Sequence, residues 1–416
     1  MSPLKKSREL IINHSTDKMR RPVSRELVAV IAIMGLGTLA MSILNPILPL
    51  YLTSLGVTPE ILGLMLSTAM VGMVFGESTW GWVADKAGLK IPLSIGTFIS
   101  GLVVLFFALM QNISAIFLIF FFWGIVRSAL FGPGRGYIGS NAPPLRKATF
   151  MAITVTMLSI SRSLGALPSG FIVDTWGYQP VFFVSCGIGL LGGTAVITGL
   201  RKIQPVEPEP PAVPPSPTNE TPAKGQGLPY RSFSFQCLVT ALQFWGVGVS
   251  IAFLPLLATE VIGVRATEVG ILFTIGGLVT VILGIPMGIL ADRKGKKGVM
   301  ILGLLVSASG LAGIALAQSF SWLILAVITL NLGTVMFTPA ALGLLSDSVP
   351  PERQSTAMGL YGGICENTGI IAGSALGGFI WSAWGPQATF LTGTVAALLG
   401  AVICSSMVKS KGSKSP

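Results

Sequence analysis

The chain has 416 residues, of which 51% are hydrophobic and only 10% are charged, and its formal net charge is +11. Soluble domains carry roughly 25% charged residues, so this composition excludes an ordinary soluble protein. A basic excess would suit a nucleic-acid partner, but here it recurs at intervals along the whole chain, so we expect no such partner.

Long apolar runs divide the sequence. A run of about 20 apolar residues can cross a bilayer as a helix. Polar breaks separate twelve runs, which we number spans 1 to 12: 26–52, 58–84, 91–111, 113–140, 148–173, 178–200, 233–258, 267–290, 298–317, 321–347, 356–381 and 386–407. The chain is therefore predicted to be an all-α membrane protein with twelve transmembrane helices.

Basic residues are distributed asymmetrically among the segments that join the spans. They cluster in an N-terminal tail (1–25), in every second loop and in a C-terminal tail (408–416), whereas the intervening loops hold only Arg265. Positively charged loops tend to stay in the cytoplasm. We therefore predict cytoplasmic termini and a multi-pass location in the cell membrane (inner or plasma). The N-terminal tail lacks the apolar region of a cleaved signal.

Prolines occupy matching places near the outer ends of two spans. Span 1 contains Pro46 and Pro49, and span 7 contains Pro255. Proline removes a backbone donor and loosens or kinks a helix. These kinks either allow an outer gate to bend or serve packing alone, and the sequence leaves both open.

Span 2 carries an acidic residue and ends in a loop that recurs later in the chain. Glu77 lies about 12 Å from the cytoplasmic end of its helix, where an ionisable group is costly and often functional, a structural ion pair being the alternative. The loop Gly81–Lys90 returns 207 residues later as Gly288–Lys297. Repetition at this period predicts two similar halves. The repeated positions are Gly81, Asp85, Lys86, Gly88 and Lys90, matched by Gly288, Asp292, Arg293, Gly295 and Lys297.

Span 4 carries two arginines on either side of a glycine–proline segment. Arg127 lies about 20 Å from the cytoplasmic end, so it can neighbour Glu77 if spans 2 and 4 pack together. Arg135 is expected to extend toward the loop. The sequence Gly132-Pro133-Gly134 predicts a local break in the helix.

Spans 5 and 11 share a pattern of small residues, which permits tight helix packing. Span 5 also holds Arg162, and span 11 holds Glu366 and Asn367. A carboxyl in a low-dielectric place is costly to ionise, so Glu366 suits a proton carrier, a neutral packing residue being the alternative. The predicted packing positions are Gly165, Pro168 and Gly170 in span 5, and Gly373, Gly377 and Gly378 in span 11.

A proline-rich segment separates the halves. Residues 201–232 cannot bury a core and are predicted to form a cytoplasmic linker. The halves are then residues 26–200 and 233–407, two pseudo-symmetric six-helix bundles related by an axis along the membrane normal.

Cysteine and histidine usage limits the chemistry. All four cysteines fall inside spans, which argues against a disulfide framework and a metal site, and the only histidine, His14, lies in the tail. No ATP-binding loop is visible. We expect no metal, no cofactor and no enzymatic activity.

The repeated loop suggests a conformational latch. Asp85 lies at a helix C-terminus, where an acid is unfavourable, so its partner should lie elsewhere. We predict that Asp85 meets the start of span 11 near Ser355 and Thr356, and that Asp292 meets the start of span 5 near Thr149. The alternative is a loop that only sets topology.

These residues resemble the major facilitator superfamily. The loop at Gly81, Asp85, Lys86, Gly88 and Lys90 is similar to the family's signature Gly-x-x-x-Asp-basic-x-Gly-x-basic, and Gly288–Lys297 is its echo. Arg127 looks like the family's arginine linked to proton coupling. The segment Gly165–Gly170 is similar to the antiporter motif, which favours a multidrug-type exporter.

The resemblance and the repeat together predict a secondary transporter that works by alternating access. We expect proton-coupled efflux of small amphipathic molecules, with Glu77, Arg127 and Glu366 in proton coupling, in a monomer that contacts lipid. The alternatives are a proton symporter that imports a sugar or organic anion, held by Arg127 and Arg162, and a membrane sensor that transports nothing. Candidate residues of a substrate cavity are Arg162, Asn367, Trp123, Phe131, Gln243, Trp245, Asn331 and Tyr361.

Overall fold

The computed structural model describes residues 25–110, 112–141, 147–200, 230–349 and 361–407. In these ranges the regular elements are all helices, and eleven of them are long and apolar enough to cross a membrane. The all-α membrane fold is therefore confirmed. The two tails except Arg25, and the predicted linker except its last residues from Tyr230, lie outside the described ranges.

In the first half, span 1 consists of two helices and the other five spans are each continuous. The bounds are Arg25–Ser42 and Leu48–Ser54 for span 1, Pro59–Ala87 for span 2, Lys90–Leu109 for span 3, Ile113–Asn141 for span 4, Lys147–Trp176 for span 5 and Gln179–Gly199 for span 6.

In the second half, one long helical segment contains the last two spans. It covers Tyr361–Ser406 and is interrupted at Gly385, whose φ of 87° lies outside the helical region. The two parts correspond to spans 11 and 12. The other bounds are Tyr230–Leu256 for span 7, extended by a π-helical turn at Leu257–Ile262, Ala266–Lys294 for span 8, Lys296–Ala315 for span 9 and Phe320–Ser348 for span 10.

Proline has different effects in different spans. Span 1 is broken between Ser42 and Leu48, around Pro46, as the sequence predicts. The break predicted at Pro133 is wrong, because span 4 continues through it as one helix. A long membrane helix tolerates one missing donor when its other hydrogen bonds and its neighbours hold it in place.

Two seams join the halves. Span 2 packs against span 11, and span 5 packs against span 8. We call these the 2–11 seam and the 5–8 seam. Within the halves, spans 2 and 4, 1 and 5, 7 and 11, and 9 and 10 are among the pairs in contact.

The buried apolar core is continuous on one side of the molecule and divided on the other. We call the side that holds Arg25 and Met407 the terminal side, and the opposite side the far side. One cluster on the far side joins residues of both halves, including Leu62 and Phe253. On the terminal side each half has its own cluster, exemplified by Leu130 in the first and Phe337 in the second. Among the described residues, the halves thus share one apolar core on the far side and have separate apolar cores on the terminal side.

One cysteine pair contradicts the argument from sequence. Cys237 in span 7 and Cys365 at the start of span 11 form a disulfide, although 128 residues separate them. The expectation of no disulfide is wrong for this pair because spans 7 and 11 pack together, which cysteine spacing does not reveal. Cys186 and Cys404 are free and buried.

Candidate functional site

Five ionisable side chains from four spans interact in the region between the halves. The carboxylate of Glu77 interacts electrostatically with Arg127 and Arg135, and that of Glu366 with Arg135, Glu77 and Arg162. We call these five residues the charged cluster. The structure therefore brings together Glu77, Arg127, Arg162 and Glu366, which the sequence had proposed on separate grounds.

Arg135 is the member that the sequence reasoning missed. It was expected to extend toward the loop, but it interacts with Glu77, Arg162 and Glu366. The signal was present in the spacing. Arg135 lies eight residues after Arg127, so the two side chains leave span 4 about 80° apart around the helix axis, within one broad face.

Glycines set the distance between the spans that carry the cluster. A Cβ at Gly72 or Gly124 would overlap the backbone of the facing helix, so spans 2 and 4 are in backbone contact. Across the 2–11 seam, a Cβ built at Gly363 would stand 3.3 Å from Oε2 of Glu77. Glu77 thus reaches the turn of span 11 that leads to Glu366.

The cluster is open rather than tightly paired. Among the described residues, none of its carboxylates is close enough to an arginine for a salt bridge, the one such bridge recorded in these ranges being Lys296–Asp347. Arg135 and Arg162 are exposed. With three arginines and two glutamates, the cluster changes its charge balance whenever one carboxyl gains or loses a proton.

The predicted cavity residues of the first half lie in packed surroundings. Trp123 is buried against Phe107 and Phe120, with ring centroids 5.8 Å and 6.2 Å away. Phe131 belongs to the terminal-side core, and the guanidinium of Arg135 lies 5.9 Å from its ring centroid. These two aromatic residues therefore support the arginines of span 4.

The predicted cavity residues of the second half are held mainly by hydrogen bonds. Each bond is between a side chain and a group one turn away or on a neighbouring span. Tyr361 Oη accepts from Thr240 at 2.9 Å, Gln243 donates to Ser307 at 2.8 Å, Trp245 donates to Thr392 at 3.2 Å, Asn331 donates to the Val327 carbonyl at 2.8 Å, and Asn367 donates to the Gly363 carbonyl at 3.0 Å.

The last lysine of each repeated loop caps a distant helix. Lys90 Nζ donates to the carbonyls of Ile197 and Leu200 at 2.6 Å and 2.9 Å, at the end of span 6. Lys297 Nζ donates to the carbonyl of Ser405 at 3.0 Å, at the end of span 12. A cation is favourable at a helix C-terminus because the last carbonyls lack partners there.

The aspartates of the repeated loops are exposed in this structure. Asp85 and Asp292 are both exposed, and the loops turn at Gly88 and Gly295, whose φ angles are 85° and 96°. A Cβ at Gly81 would meet nothing within 4 Å, so no described part of the chain packs closely against that glycine. The proposed partners Ser355 and Thr356, and the side chain of Thr149, lie outside the described part of the chain.

The small residues of spans 5 and 11 contact equivalent neighbours. Gly165 packs against span 1 at Ser42, and Gly373 packs against span 7 at Trp245. Gly170 faces Ala266 across the 5–8 seam, and Gly378 faces Pro59 across the 2–11 seam. Gly377 contacts Phe253, and Pro168 lies inside an unbroken helix.

A family model described as the Major Facilitator Superfamily matches residues 30–235 and again residues 236–416. The chain is 25% identical over 384 residues to the multidrug resistance protein MdtG of Escherichia coli O9:H4, which covers 87% of this chain and 89% of MdtG. It is 21% identical over 353 residues to an MFS-type transporter of Methanocaldococcus jannaschii, with 82% of this chain and 87% of the relative covered.

Solved structures share the fold at low sequence identity. A bacterial homolog of the human lysosomal transporter Spinster, in an inward-facing and occupied conformation, superposes with a TM-score of 0.70 at 14% identity, covering 91% of this chain and 95% of that one. The nucleoside transporter NupG superposes with a TM-score of 0.70 at 17% identity, covering 93% and 100%.

Proposed function

The chain belongs to the Major Facilitator Superfamily, and from that membership we propose that it exports small amphipathic molecules in exchange for protons. Members of this family are transporters and not enzymes. The observation that carries the proposal is the charged cluster, in which carboxylates from both halves, Glu77 and Glu366, share the arginines of spans 4 and 5.

A proton can couple to the motion of the halves through this cluster. When Glu77 and Glu366 are both ionised, they repel each other across the 2–11 seam and are attracted to the arginines. Protonation of either one removes a negative charge at the boundary between the halves. Because the arginines belong to the first half and Glu366 to the second, the charge change alters the attraction between halves.

The separate cores of the terminal side provide the entrance. The far side is sealed by one shared core, whereas the terminal-side cores do not join. If the basic loops mark the cytoplasm, as the positive-inside rule predicts, substrate enters from the cytoplasm. The halves then rock, the substrate leaves on the far side, and protons return inward through the cluster, each worth about 2.3 kcal/mol per 100 mV.

The direction and the substrate class rest on two further observations. The relatives of this chain include proteins named for multidrug resistance. The exposed side chain of Arg135 lies against Phe131, at the edge of the terminal-side core, so a charged side chain and apolar residues lie side by side there. That combination suits amphipathic substrates.

We also propose the organisation of the chain in the membrane. Residues 26–200 and 233–407 form the two bundles, residues 201–232 link them, and both tails (1–25 and 408–416) are cytoplasmic in a monomer. Large exposed apolar side chains, among them Phe75, Leu191 and Ile282, provide the lipid-facing surface.

A second candidate function is the import of an organic anion with protons. The observation that favours it is the excess of arginine in the cluster, together with the exposure of Arg162 and a buried Arg127 Nε that has no hydrogen-bond partner. A carboxylate substrate would supply the missing acceptor.

Transport in membrane vesicles tests both functions. Inside-out vesicles with an imposed pH gradient are given ethidium, and both ethidium uptake and proton release are measured. If the protein exports its substrate in exchange for protons, ethidium uptake should stop when the pH gradient is removed. Uptake should also be lost in the variants Glu77→Gln and Glu366→Gln. Glu268→Gln is the control, because within the described part of the chain the Glu268 carboxylate accepts a hydrogen bond only from the backbone at its own helix start. Gradient-independent uptake would exclude proton exchange, and accumulation of an organic anion in right-side-out vesicles would favour import.

A further inference from the structure

The end of span 5 is bound to the beginning of span 8 on the far side. The Asp174 carboxylate accepts hydrogen bonds from the backbone N–H groups of Ala266 and Thr267 at 3.3 Å and 2.9 Å, and from the Thr267 hydroxyl at 2.5 Å. The first N–H groups of a helix lack partners within it, and its N-terminus favours negative charge. Asp174 therefore fastens the first half to the second.

The other seam has the equivalent contact with the acid on the opposite partner. The Glu60 carboxylate, at the start of span 2, lies beside the side chain of Ser382, near the end of span 11, and interacts with it. Glu60 corresponds to Thr267, 207 residues later, and Asp174 corresponds to Ser382, 208 residues later. Each seam thus pairs one carboxylate with one hydroxyl. In the 5–8 seam the carboxylate lies at the end of a helix, and in the 2–11 seam it lies at the start of one.

The two seams also have corresponding contacts closer to the middle of the helices. One turn from each polar pair, a glycine near the end of one helix lies against the first residue of its partner helix, Gly170 against Ala266 and Gly378 against Pro59. Further in, Ser67 donates to the carbonyl of Ile371 at 3.0 Å. Its counterpart Thr274 donates to the carbonyl of Ser163 at 3.1 Å.

We propose that the Asp174–Thr267 and Glu60–Ser382 pairs are twin latches that hold the far side closed. To open the far side, the ends of both seams must separate, and Asp174 must leave two N–H groups and a hydroxyl. Because each latch connects the two halves, its loss favours the far-open state rather than merely loosening one helix. The proposal rests on the two-state motion of the proposed transporter but not on its substrate or its protons.

Hydrogen–deuterium exchange of the purified full-length protein in lipid nanodiscs measures both sides at once. Asp174→Ala should speed exchange about tenfold at the far-side ends of both seams, residues 55–63 and 262–270, as expected for losing a charge-assisted hydrogen bond. It should slow exchange at the terminal-side ends of spans 2 and 8, residues 82–90 and 289–297, because one side closes as the other opens. Thr267→Val keeps the carboxylate and should give a smaller shift in the same direction.

Glu268→Ala is the matched control. Its carboxylate accepts the Arg265 N–H at 2.8 Å on the same helix end but has no hydrogen bond or salt bridge to the first half among the residues described. It should speed exchange only at residues 262–270. If Asp174→Ala behaves in the same way, with residues 55–63 and both terminal-side segments unchanged, the latch proposal is overturned. This outcome is independent of ethidium transport, so it distinguishes failure of the latch from failure of proton exchange.

Discussion

The guanidinium of Arg127 lies over the ring of Trp123, 4.9 Å from the ring centroid and one helical turn away on span 4. Both side chains carry a buried nitrogen, Nε of Arg127 and Nε1 of Trp123, with no hydrogen-bond partner among the described residues. Arg127 is therefore held by the face of an aromatic ring rather than by a paired carboxylate. This arrangement keeps its charge available to Glu77.

Replacing Trp123 should disturb Arg127 without removing its charge. Trp123→Leu loses a cation–π contact worth about 1 kcal/mol, so we expect proton-coupled uptake in vesicles to fall about fivefold. Trp123→Phe retains an aromatic face, so its uptake should fall less than that of Trp123→Leu. Equal rates in the Leu and Phe variants would show that the ring does not position Arg127.

The lysines that end the repeated loops should contribute to stability. Lys90→Met removes two charged hydrogen bonds to the end of span 6 and should destabilise the protein by about 1 kcal/mol. Lys297→Met removes the bond to Ser405 and should also lower the midpoint of thermal unfolding in detergent. Lys294, exposed at the end of span 8, provides the control Lys294→Met. A midpoint for Lys90→Met equal to that control would contradict the capping role.

The close contact across the 5–8 seam should not tolerate a larger residue. In Gly170→Val the added atoms meet the Ala266 backbone, and overpacking of this kind costs about 1–3 kcal/mol. The closed far side is therefore disfavoured, and transport should fall about tenfold or more. Gly187→Val is the control, because a Cβ at Gly187 meets nothing within 4 Å. If Gly170→Val transports at the parental rate, spans 5 and 8 can accommodate the larger side chain, and the prediction is contradicted.

The proposed terminal-side latch should act when the far side opens. Asp85 is exposed in the present state, so Asp85→Asn should leave membrane insertion and thermal stability unchanged. It should slow transport severalfold, because the state in which the terminal side closes loses a charged contact at a helix N-terminus. The variant is compared with the parent at equal membrane levels, measured by immunoblot. An unchanged rate would mean that the loop serves topology alone.

The spans were predictable from the sequence because apolar length and polar breaks are local properties. Span 1 divides near Pro46 as predicted, whereas Pro133 leaves span 4 intact, because the effect of a proline depends on what packs around it. Glu77, Arg127 and Glu366 were identifiable one at a time, since charge inside an apolar run is costly wherever it occurs. The spacing of Arg135 from Arg127 was also visible in the sequence, but its partners on spans 2, 5 and 11 were identifiable only from the packing of those helices.

The sequence by itself determined the class of protein, since hydropathy, charge asymmetry and a repeat at half the chain length depend on order along the chain. Only the tertiary structure decided which spans meet. The 2–11 and 5–8 seams, the disulfide between Cys237 and Cys365, and the bond from Asp174 to Thr267 all join residues far apart in sequence. Such contacts depend on helix rotation and on the depth at which glycine allows two backbones to approach, and neither quantity is encoded in the hydropathy of a single span.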